Sequence, residues 1–353
     1  MINIVIPMSG QNLYETNNGF AYPKLLTEVA NKTLLEYSQD IFKTIHDRHK
    51  IIYVAPAEKL DKLGLKSIIN TISDKKGKIV PLHGTTKGAV CSCLMAIDEI
   101  ELDSELIISS ADHYIEGDLQ EIINSFRVMK CDAGVLTFQS VHPKWSFVLL
   151  NENDEVVQAA EKDPISRNAV AGLYYFKKAS DFIFAAKNLI RKDGSINDFY
   201  YLSSCLNELV LAGKTIKVHK LNNAVYHNFY DAHAVNAFGM SLNNDAGILN
   251  DLTNQYIKAF NEKNIDAVMH MFENGSSLIE PNDIFAGHEN IKRRLVDIFK
   301  SPELMFTATT VICQMNKSVI EFKLSLGCDV IKGVDVIEWN HNNKIVKLTA
   351  YII

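Results

Sequence analysis

The hydrophobic pattern of roughly the first 110 residues alternates short apolar runs with helical repeats. Strands are predicted at Ile2–Ile6, Ile51–Ala55, Ile79–Leu82 and Glu105–Ser109. Apolar residues recur at helical spacing over Leu34–Ile45, Leu60–Ile72 and Ala89–Ile97. Strands that alternate with helices predict an α/β fold with a mostly parallel sheet covered on both faces. Ligands of such sheets bind beyond the carboxyl ends of the strands.

After residue 133 the pattern changes to successive strands joined by short turns. These strands are predicted at Gly134–Gln139, Ser146–Leu150, Val156–Ala159 and Gly172–Phe176. Two helices, near Ala179–Ile190 and Phe199–Ala212, precede a strand at Thr215–Leu221. This segment completes a first domain, which we place at residues 1–243.

The polar stretch Asn243–Gly247 predicts a link to a second domain at residues 246–353. Helices are predicted here over Ile248–Glu262, Asn264–Met271 and His288–Phe299. Strands are predicted at Ser277–Glu280, Thr307–Gln314, Lys317–Leu326, Asp329–Asn340 and Ile345–Ile353. Helices followed by a strand meander predict an α+β unit.

Composition narrows the classes of function. Hydrophobic residues make up 47% of the 353 and charged residues 22%, which excludes wholesale disorder. The net charge of −6 gives no reason to expect a nucleic-acid partner. No run of about 20 apolar residues predicts a membrane span, and the apolar N-terminal strand, which has no basic leader, is not expected to be a signal peptide. The six scattered cysteines indicate free thiols in a reducing cytoplasm, without zinc-site spacing.

Two features near the N-terminus could carry chemistry. Ser9-Gly10 follows the first strand, where a turn of small residues can expose backbone N–H groups to a phosphate, or be a plain turn. Lys24 stands between Pro23 and the apolar pair Leu25-Leu26. This context favours a lysine held in place by its neighbours over a solvated one.

Several ordered segments resemble sugar-1-phosphate nucleotidyltransferases, which have a Rossmann-like GT-A fold and join a nucleoside triphosphate to a phosphorylated acceptor. The similar segments span about residues 1–235. They are Ile4-Val-Ile-Pro-Met-Ser-Gly10, Pro23-Lys-Leu-Leu-Thr-Glu-Val29, Asn31-Lys-Thr-Leu-Leu-Glu36, Thr86-Lys-Gly-Ala89, Ile107-Ile-Ser-Ser-Ala-Asp112, Glu161-Lys-Asp-Pro164 and Ala171-Gly-Leu-Tyr-Tyr-Phe176.

The resemblance implies a role for each matching residue. Lys24 would neutralise the triphosphate, Lys162 would hold the acceptor phosphate, and Asp112 would bind Mg²⁺. Nucleotide contacts would come from Met8, Ser9, Gly10, Thr86, Gly88 and Ala89. The acceptor would contact Glu161, Lys162 and Gly172. Alternatively, Asp112 could cap a turn and Lys162 could pair with Glu161 on the surface.

Two departures from the family pattern bear on catalysis. The family loop reads Gly-x-Gly-(Ser/Thr)-Arg, and an ungapped count puts Asn12 at the second glycine and Tyr14 at the arginine. A tyrosine supplies no permanent cation. Asn228 stands where the family has its second metal-binding aspartate, with Asp231 three residues further on. The chain is therefore expected either to use an unusual substrate or to have lost its nucleotidyltransferase activity.

The segment from about residue 246 is similar to SnoaL-like, ketosteroid-isomerase-like domains, which are cone-shaped α+β folds. The similarity rests on Tyr256–Val268, Met271-Phe272 and Gly287–Ile291. It implies an assembly or ligand-binding module that forms a homodimer, or else a second enzyme. Candidate residues inside the cone are Glu280, Asp335 and His270.

We therefore expect a cytoplasmic, Mg²⁺-dependent nucleotidyltransferase with a nucleoside triphosphate and a phosphorylated acceptor as its partners. By resemblance, CTP or UTP is favoured, and the setting is surface polysaccharide synthesis. The alternative is a binding protein for nucleotides or sugar phosphates that has lost catalysis and regulates a partner.

Overall fold

The computed structural model describes residues 1–16, 19–326, 329–340 and 342–353, without the side chains of 243–246, 326 and 329. Cys328, expected to be a free thiol, lies outside these residues. The chain divides into two compact units, Met1–Asn236 and Ala237–Ile353. None of the helices in the described part is long and apolar enough to cross a membrane.

The first unit alternates strands with helices, as its hydrophobic pattern predicts. Its strands are β1 Ile2–Pro7, β2 Glu28–Val29, β3 Lys32–Thr33, β4 His49–Pro56, β5 Lys78–Leu82, β6 Glu105–Ser109, β7 His113–Ile115, β8 Ala133–Gln139, β9 Ser146–Leu150, β10 Val156–Glu161, β11 Asn168–Phe176, β12 Ile216–Lys220 and β13 Tyr226–Asn228. Its helices are α1 Leu34–Asp40, α2 Ala57–Lys62, α3 Leu65–Ile72, α4 Ala89–Leu94, α5 Leu119–Val128, α6 Ala179–Arg191 and α7 Leu202–Leu211.

Nine of these strands form one mixed sheet. Strands β5, β4, β1 and β6 are neighbours in that order and run parallel, so the predicted parallel sheet is confirmed at its centre. Strand β11 pairs antiparallel with β6, β8 and β9, and thereby joins the later strands to the centre. Strands β7 and β13 form a separate antiparallel pair.

Side-chain alternation along β1 places apolar residues on both faces of the sheet. Ile4 and Ile6 belong to one buried cluster, and Val5 belongs to the other. Successive residues of a strand point to opposite faces. The helices therefore have an apolar surface to cover on each face of the sheet. The loops at the strand ends remain free to form a cavity.

One helix prediction in this unit was incomplete, and one helix was not predicted. The segment predicted as one helix over 60–72 is two helices, α2 and α3, separated by Gly64 in the left-handed conformation at φ 62°. Glycine adopts that conformation without the steric cost of a Cβ. Helix α5 was missed, although Asp118 caps it by accepting a hydrogen bond from the backbone N–H of Glu121.

The second unit is an α+β fold. Helix α8, Ala232–Asn261, ends in this unit. The other two helices are α9 Ile265–Met271 and α10 His288–Phe299. Its strands are β14 Phe272–Glu280, β15 Asp283–Ala286, β16 Leu304–Gln314, β17 Lys317–Leu326, β18 Asp329–Trp339 and β19 Ile345–Ile352. The sheet order is β15-β14-β19-β18-β17-β16, in which the last four strands form the predicted meander.

The polar stretch 243–247 lies within helix α8 rather than in a loop. The helix therefore begins well before the predicted Ile248. Asp231 accepts a hydrogen bond from the backbone N–H of Ala234 at 2.8 Å, which satisfies a donor in its first turn. Within the second unit, Tyr256 and Phe260 of α8 pack with Ile320, Ile337 and Trp339 of the sheet. Packing of this apolar face stabilises a helix whose polar middle has low intrinsic propensity.

Candidate active site

A cavity of about 260 Å³ opens in the first unit beyond the carboxyl ends of the parallel strands. Asn12 reaches it from the loop after β1, Ala89 from the segment after β5, and Asp112 from the segment after β6. This is the edge at which sheets of this class bind ligands. The first, third and fourth predicted strands of the sequence therefore contribute to one site.

Lys24 and Asp112 form an ion pair at this site, in which Asp112 lines the cavity and Lys24 lies buried behind it. Lys24 begins a short 3-10 helix after Pro23, and only 1% of its side chain is exposed. Its Nζ lies 2.8 Å from Oδ2 of Asp112, whose side chain is 23% exposed. Lys24 is therefore not a solvated surface residue. The predicted triphosphate cation and the predicted metal ligand are in direct contact.

A hydroxyl network joins two segments expected to contact the nucleotide. Oγ of Ser92, in α4, lies 2.6 Å from Oγ of Ser9 and 2.7 Å from Oγ1 of Thr86. Ser92 also donates a hydrogen bond to the carbonyl of Gly88 at 3.1 Å. The sequence analysis did not single out Ser92, because nothing local distinguishes it from other helical serines.

The loop after β1 is closed by Tyr14. Its hydroxyl donates a hydrogen bond to the carbonyl of Met8 at 2.6 Å, and its ring is buried. Burial raises the pKa of Tyr14 far above its ordinary value. The Met8 side chain is buried too, and Gly10 has an ordinary φ of −63°. The residue at the arginine position thus braces the loop from within.

The backbone conformation of Gly88 and the closeness of Tyr200 both favour glycine at this position. Its φ is +96°, and a Cβ there would lie 2.6 Å from the carbonyl oxygen of Tyr200. The backbone N–H of Tyr200 donates in turn to the carbonyl of Lys87 at 2.9 Å. Close approach at Gly88 is therefore to Tyr200. The expected contact of Gly88 with a nucleotide base stays a prediction.

The side chains of Glu161 and Lys162, the predicted acceptor residues, lie in different environments. Glu161 lines the cavity and accepts hydrogen bonds from the hydroxyls of Ser146 and Ser203, the latter at 2.9 Å. Lys162 is exposed, has a φ of 57°, and holds its Nζ 5.7 Å from the ring centroid of Tyr201. In the described part of the chain it forms no ion pair with Glu161.

A buried histidine forms the wall behind Gly172. A Cβ on Gly172, whose φ is 74°, would lie 2.9 Å from Nδ1 of His113. Nε2 of His113 lies 3.2 Å from Oγ of Ser109. Burial lowers the pKa of His113 to about 4, against which nearby Asp112 acts weakly. The imidazole is thus neutral near pH 7, and sequence analysis did not single it out.

The second expected metal residue, Asn228, stands beside Asp112 on the cavity wall. Asn228 pairs in register with His113 across β13 and β7, and the backbone N–H of Phe229 donates to the carbonyl of Asp112 at 2.9 Å. Asp231 is engaged as the cap of α8. Across residues 1–16, 19–326, 329–340 and 342–353, no three His, Cys, Asp or Glu side chains converge as a metal site.

Aromatic side chains cover the remaining wall. Trp145, Tyr174, Tyr201, Tyr226 and Tyr230 all line the cavity. They come from β11, β13, the N-cap of α7 and loops that are distant in sequence, so no local motif revealed them.

Comparison with solved structures identifies the fold of this unit. The chain is similar to a nucleoside-diphosphate-sugar pyrophosphorylase from Vibrio cholerae RC9, with 21% identity and a TM-score of 0.59 over 67% of this chain and 99% of that one. It is also similar to a Bacillus anthracis protein assigned as a glucose-1-phosphate thymidylyltransferase, solved with sucrose. That match has 13% identity and a TM-score of 0.54 over 68% and 94%. The chain therefore contains the fold that these two nucleotidyltransferase structures share.

The length of this nucleotidyltransferase fold matches the first unit, which comprises 236 of the 353 residues. The covered share of this chain, 67% or 68%, is about the same. No protein-family model and no curated protein sequence matches the chain.

The candidate residues of the second unit occupy different environments. Asp335 is 5% exposed, and burial, with a smaller effect of Glu280, raises the pKa of Asp335 to about 7. Glu280 receives two hydrogen bonds from Arg294, at 2.8 and 2.7 Å. His270 is exposed at the end of α9, so the expectation that it lies inside this unit was wrong.

Proposed function

We propose that the first unit transfers a nucleotidyl group from a nucleoside triphosphate to a phosphorylated small molecule and releases pyrophosphate. The observation that carries the proposal is the buried Lys24–Asp112 pair, set where the loop after β1, the start of α4 and the end of β6 meet. The nucleotidyltransferase fold around this pair supports the same reaction class.

In this proposal an oxygen of the acceptor phosphate attacks the α-phosphorus. The bond from that phosphorus to the bridging oxygen of pyrophosphate breaks. Catalysis of such a step is mainly positioning and charge stabilisation. Lys24 faces the triphosphate and Lys162 the acceptor phosphate. Nucleotide contacts are assigned to Met8, Ser9, Gly10, Thr86, Gly88 and Ala89, and acceptor contacts to Glu161 and Gly172.

The residues present fit a magnesium ion. Asp112 and Asn228 offer carboxylate and amide oxygens on one wall of the cavity, and Lys24 contacts only one of the two carboxylate oxygens. Mg²⁺ takes one or two protein carboxylates and fills its remaining positions with water and phosphate oxygens. Bound there, it would neutralise negative charge on the triphosphate.

The finer assignment rests on family resemblance. We propose CTP or UTP as the donor and a sugar phosphate or similar small phosphate ester as the acceptor. The setting is the cytoplasmic supply of nucleotide-activated precursors for surface polysaccharide. The two structural neighbours carry names of enzymes that act on sugar nucleotides, which agrees with this class.

The first test is thermal stability with each of CTP, UTP, ATP, GTP and dTTP, with and without Mg²⁺. A ligand present at about 100 times its dissociation constant stabilises the folded state by about 2.7 kcal/mol. The nucleotide selected is then incubated with Mg²⁺ and a panel of phosphate esters, and pyrophosphate is measured. Release that Asp112→Ala abolishes is expected. Persistent absence of pyrophosphate over the whole panel would count against the proposal.

One observation favours a second candidate, a nucleotide-binding protein without turnover. Tyr14 replaces the family's arginine and is turned into the protein, onto the carbonyl of Met8. The loop therefore supplies no cation from that position. This candidate predicts nucleotide binding by calorimetry and no pyrophosphate with any acceptor, and release that depends on Asp112 would exclude it.

For the second unit we propose a SnoaL-like module that mediates homodimerisation. Supporting it, apolar side chains are exposed on the sheet, including Met305, Ile312 and Tyr351 at 61%, 57% and 56%. A second copy of the chain could cover such exposed apolar side chains. Light scattering should give twice the 39.7 kDa chain mass, and Tyr351→Lys should shift it towards the monomer. A monomeric unsubstituted protein would contradict this proposal.

A further inference from the structure

The cavity of the first unit contains an aromatic cage, formed by Trp145, Tyr226 and Tyr230. The ring centroids of Trp145 and Tyr230 lie 6.0 Å apart with their planes inclined at 67°, and Tyr226 lies 6.5 Å from Trp145. The three rings pack edge to face, and Trp145 and Tyr230 are the two whose faces a cation reaches. All three rings line the cavity, as do Glu161 and Gly172, two of the proposed acceptor residues.

A cation of the protein itself already contacts this cage. Nζ of Lys144 lies 4.7 Å from the ring centroid of Trp145 and 4.8 Å from that of Tyr230. Both distances fall within the range of about 6 Å over which an ammonium is attracted to an aromatic face. Lys144 forms no ion pair with any carboxylate in the described ranges. Its ammonium marks where the cage attracts positive charge.

An uncompensated carboxylate lies next to the cage. Ser146 follows Trp145 directly and pairs in register with Glu161 across β9 and β10. Glu161 accepts hydrogen bonds from two serine hydroxyls, yet among the residues that the structure describes it has no cationic partner. Asp112 differs, because Lys24 balances its charge. Of the two carboxylates that line the cavity, Glu161 is therefore the one without an ion pair in the described part of the chain.

We infer that the acceptor carries an ammonium group, and that this group takes the place of Lys144 in the aromatic cage. The inference rests on the proposed function and names its substrate class: a phosphate monoester bearing a primary or quaternary amine. A neutral sugar gains no cation–π attraction, whereas an ammonium gains it from the cage and also meets Glu161. Once displaced, the flexible side chain of Lys144 is free to meet the acceptor phosphate.

The experiment compares two acceptors of one shape and different charge. Phosphocholine and its uncharged isostere, 3,3-dimethylbutyl phosphate, are given to the full-length protein with Mg²⁺ and the nucleotide that stabilises it most. Pyrophosphate release is measured for both, with phosphoethanolamine and glucose 1-phosphate alongside. A desolvated cation–π contact predicts kcat/KM about 30-fold higher for phosphocholine than for the isostere.

Loss of one ring tests whether the cage causes this preference. Tyr230→Leu should lower the ratio of the two kcat/KM values by about threefold or more, since the part of the cation–π attraction that the Tyr230 ring supplies is removed. The rate with the uncharged isostere in the same variant reports on folding and general activity. Tyr351→Leu, which removes an exposed tyrosine of the second unit, is the matched control and should retain the full ratio.

The outcomes separate the inference from the proposed function. Equal use of phosphocholine and its isostere, or transfer to glucose 1-phosphate alone, would overturn the inference and leave the function standing. If no acceptor releases pyrophosphate, the function fails, and calorimetry with the same two esters decides the inference. The inference is supported if phosphocholine binds more tightly than the isostere and Tyr230→Leu weakens that preference. Equal binding of the two esters would overturn the inference.

Discussion

Lys24 and Asp112 are 88 positions apart in the chain, and Nζ of the lysine lies 2.8 Å from Oδ2 of the aspartate. The lysine is almost completely buried, so its charge requires a partner that folding delivers to it. The pair ties the loop after β1 to the end of β6. The site can therefore form only when these two parallel strands are in place.

Lys24→Met should slow pyrophosphate release on the order of 10²-fold, because an oriented cation is lost from a phosphate pocket. The substitution also leaves Asp112 without its partner, so lower stability is expected. Steady-state kinetics with varied nucleotide and circular dichroism would measure the two effects. Lys43→Met, which removes an exposed lysine paired with Asp40, is the control. A rate change below about threefold would reject the assignment of Lys24.

Tyr14→Arg should not restore the family's phosphate contact. The tyrosine ring is buried and its hydroxyl is bonded within the loop, so an arginine there would have to bury a charge or open the loop. We expect a clearly lower midpoint of thermal unfolding and no gain in pyrophosphate release. Tyr14→Phe, which only deletes the hydroxyl, should cost about 1–3 kcal/mol through the unsatisfied Met8 carbonyl. Faster release by the arginine variant would contradict this view of the loop.

Gly88→Ala should destabilise the first unit more than an alanine at another left-handed glycine. The new Cβ would lie 2.6 Å from the carbonyl oxygen of Tyr200, in addition to the conformational cost at φ +96°. Gly213→Ala is the matched control, since Gly213 has a φ of +71° and open space around it. Urea unfolding curves of both variants measure how much more the clash and the extended positive-φ backbone at Gly88 cost together. Equal losses would mean that Tyr200 yields at little cost.

Asp335→Asn should make the second unit more stable near pH 8 and flatten its pH dependence. Burial raises the pKa of Asp335 to about 7, whereas an unfolded aspartate has a pKa near 3.8. From about pH 4 to pH 7 the unfolded chain binds fewer protons than the folded one, so stability falls as the pH rises, and it levels off above pH 7. The upper limit of this loss is on the order of 4 kcal/mol.

Trp339 can report this transition, because it is buried in the core of the second unit. Urea unfolding is followed by its fluorescence in a Trp145→Phe background, at pH 5 and pH 8. The parent should be less stable at pH 8 than at pH 5, and the asparagine variant should lose most of that difference. Glu280 bears on the same measurement, since it also acts on Asp335, and Arg294 keeps it paired. An unchanged difference in the variant would assign the pH dependence to other groups.

The local order of the chain was predictable from its periodicity. The alternation of Ile4 and Val5 along β1, and the helical spacing of the apolar residues in α10, depend on neighbours within a few positions. The buried position of Lys24 also followed from its context between Pro23 and Leu25. One failure was local, because a glycine split a predicted helix, and the other was not, because tertiary packing carried α8 through a polar stretch.

The sequence by itself thus determined the alternating elements, the parallel centre of the sheet and the loop at which the site begins. Only the tertiary structure decided which side chains meet there. Ser92 joins Ser9 to Thr86, and Lys144 rests on Trp145 and Tyr230, through contacts that depend on strand order and side-chain direction. Periodicity encodes which face of an element is buried. It carries no information on which distant element covers that face, because that choice is made by packing across the whole sheet.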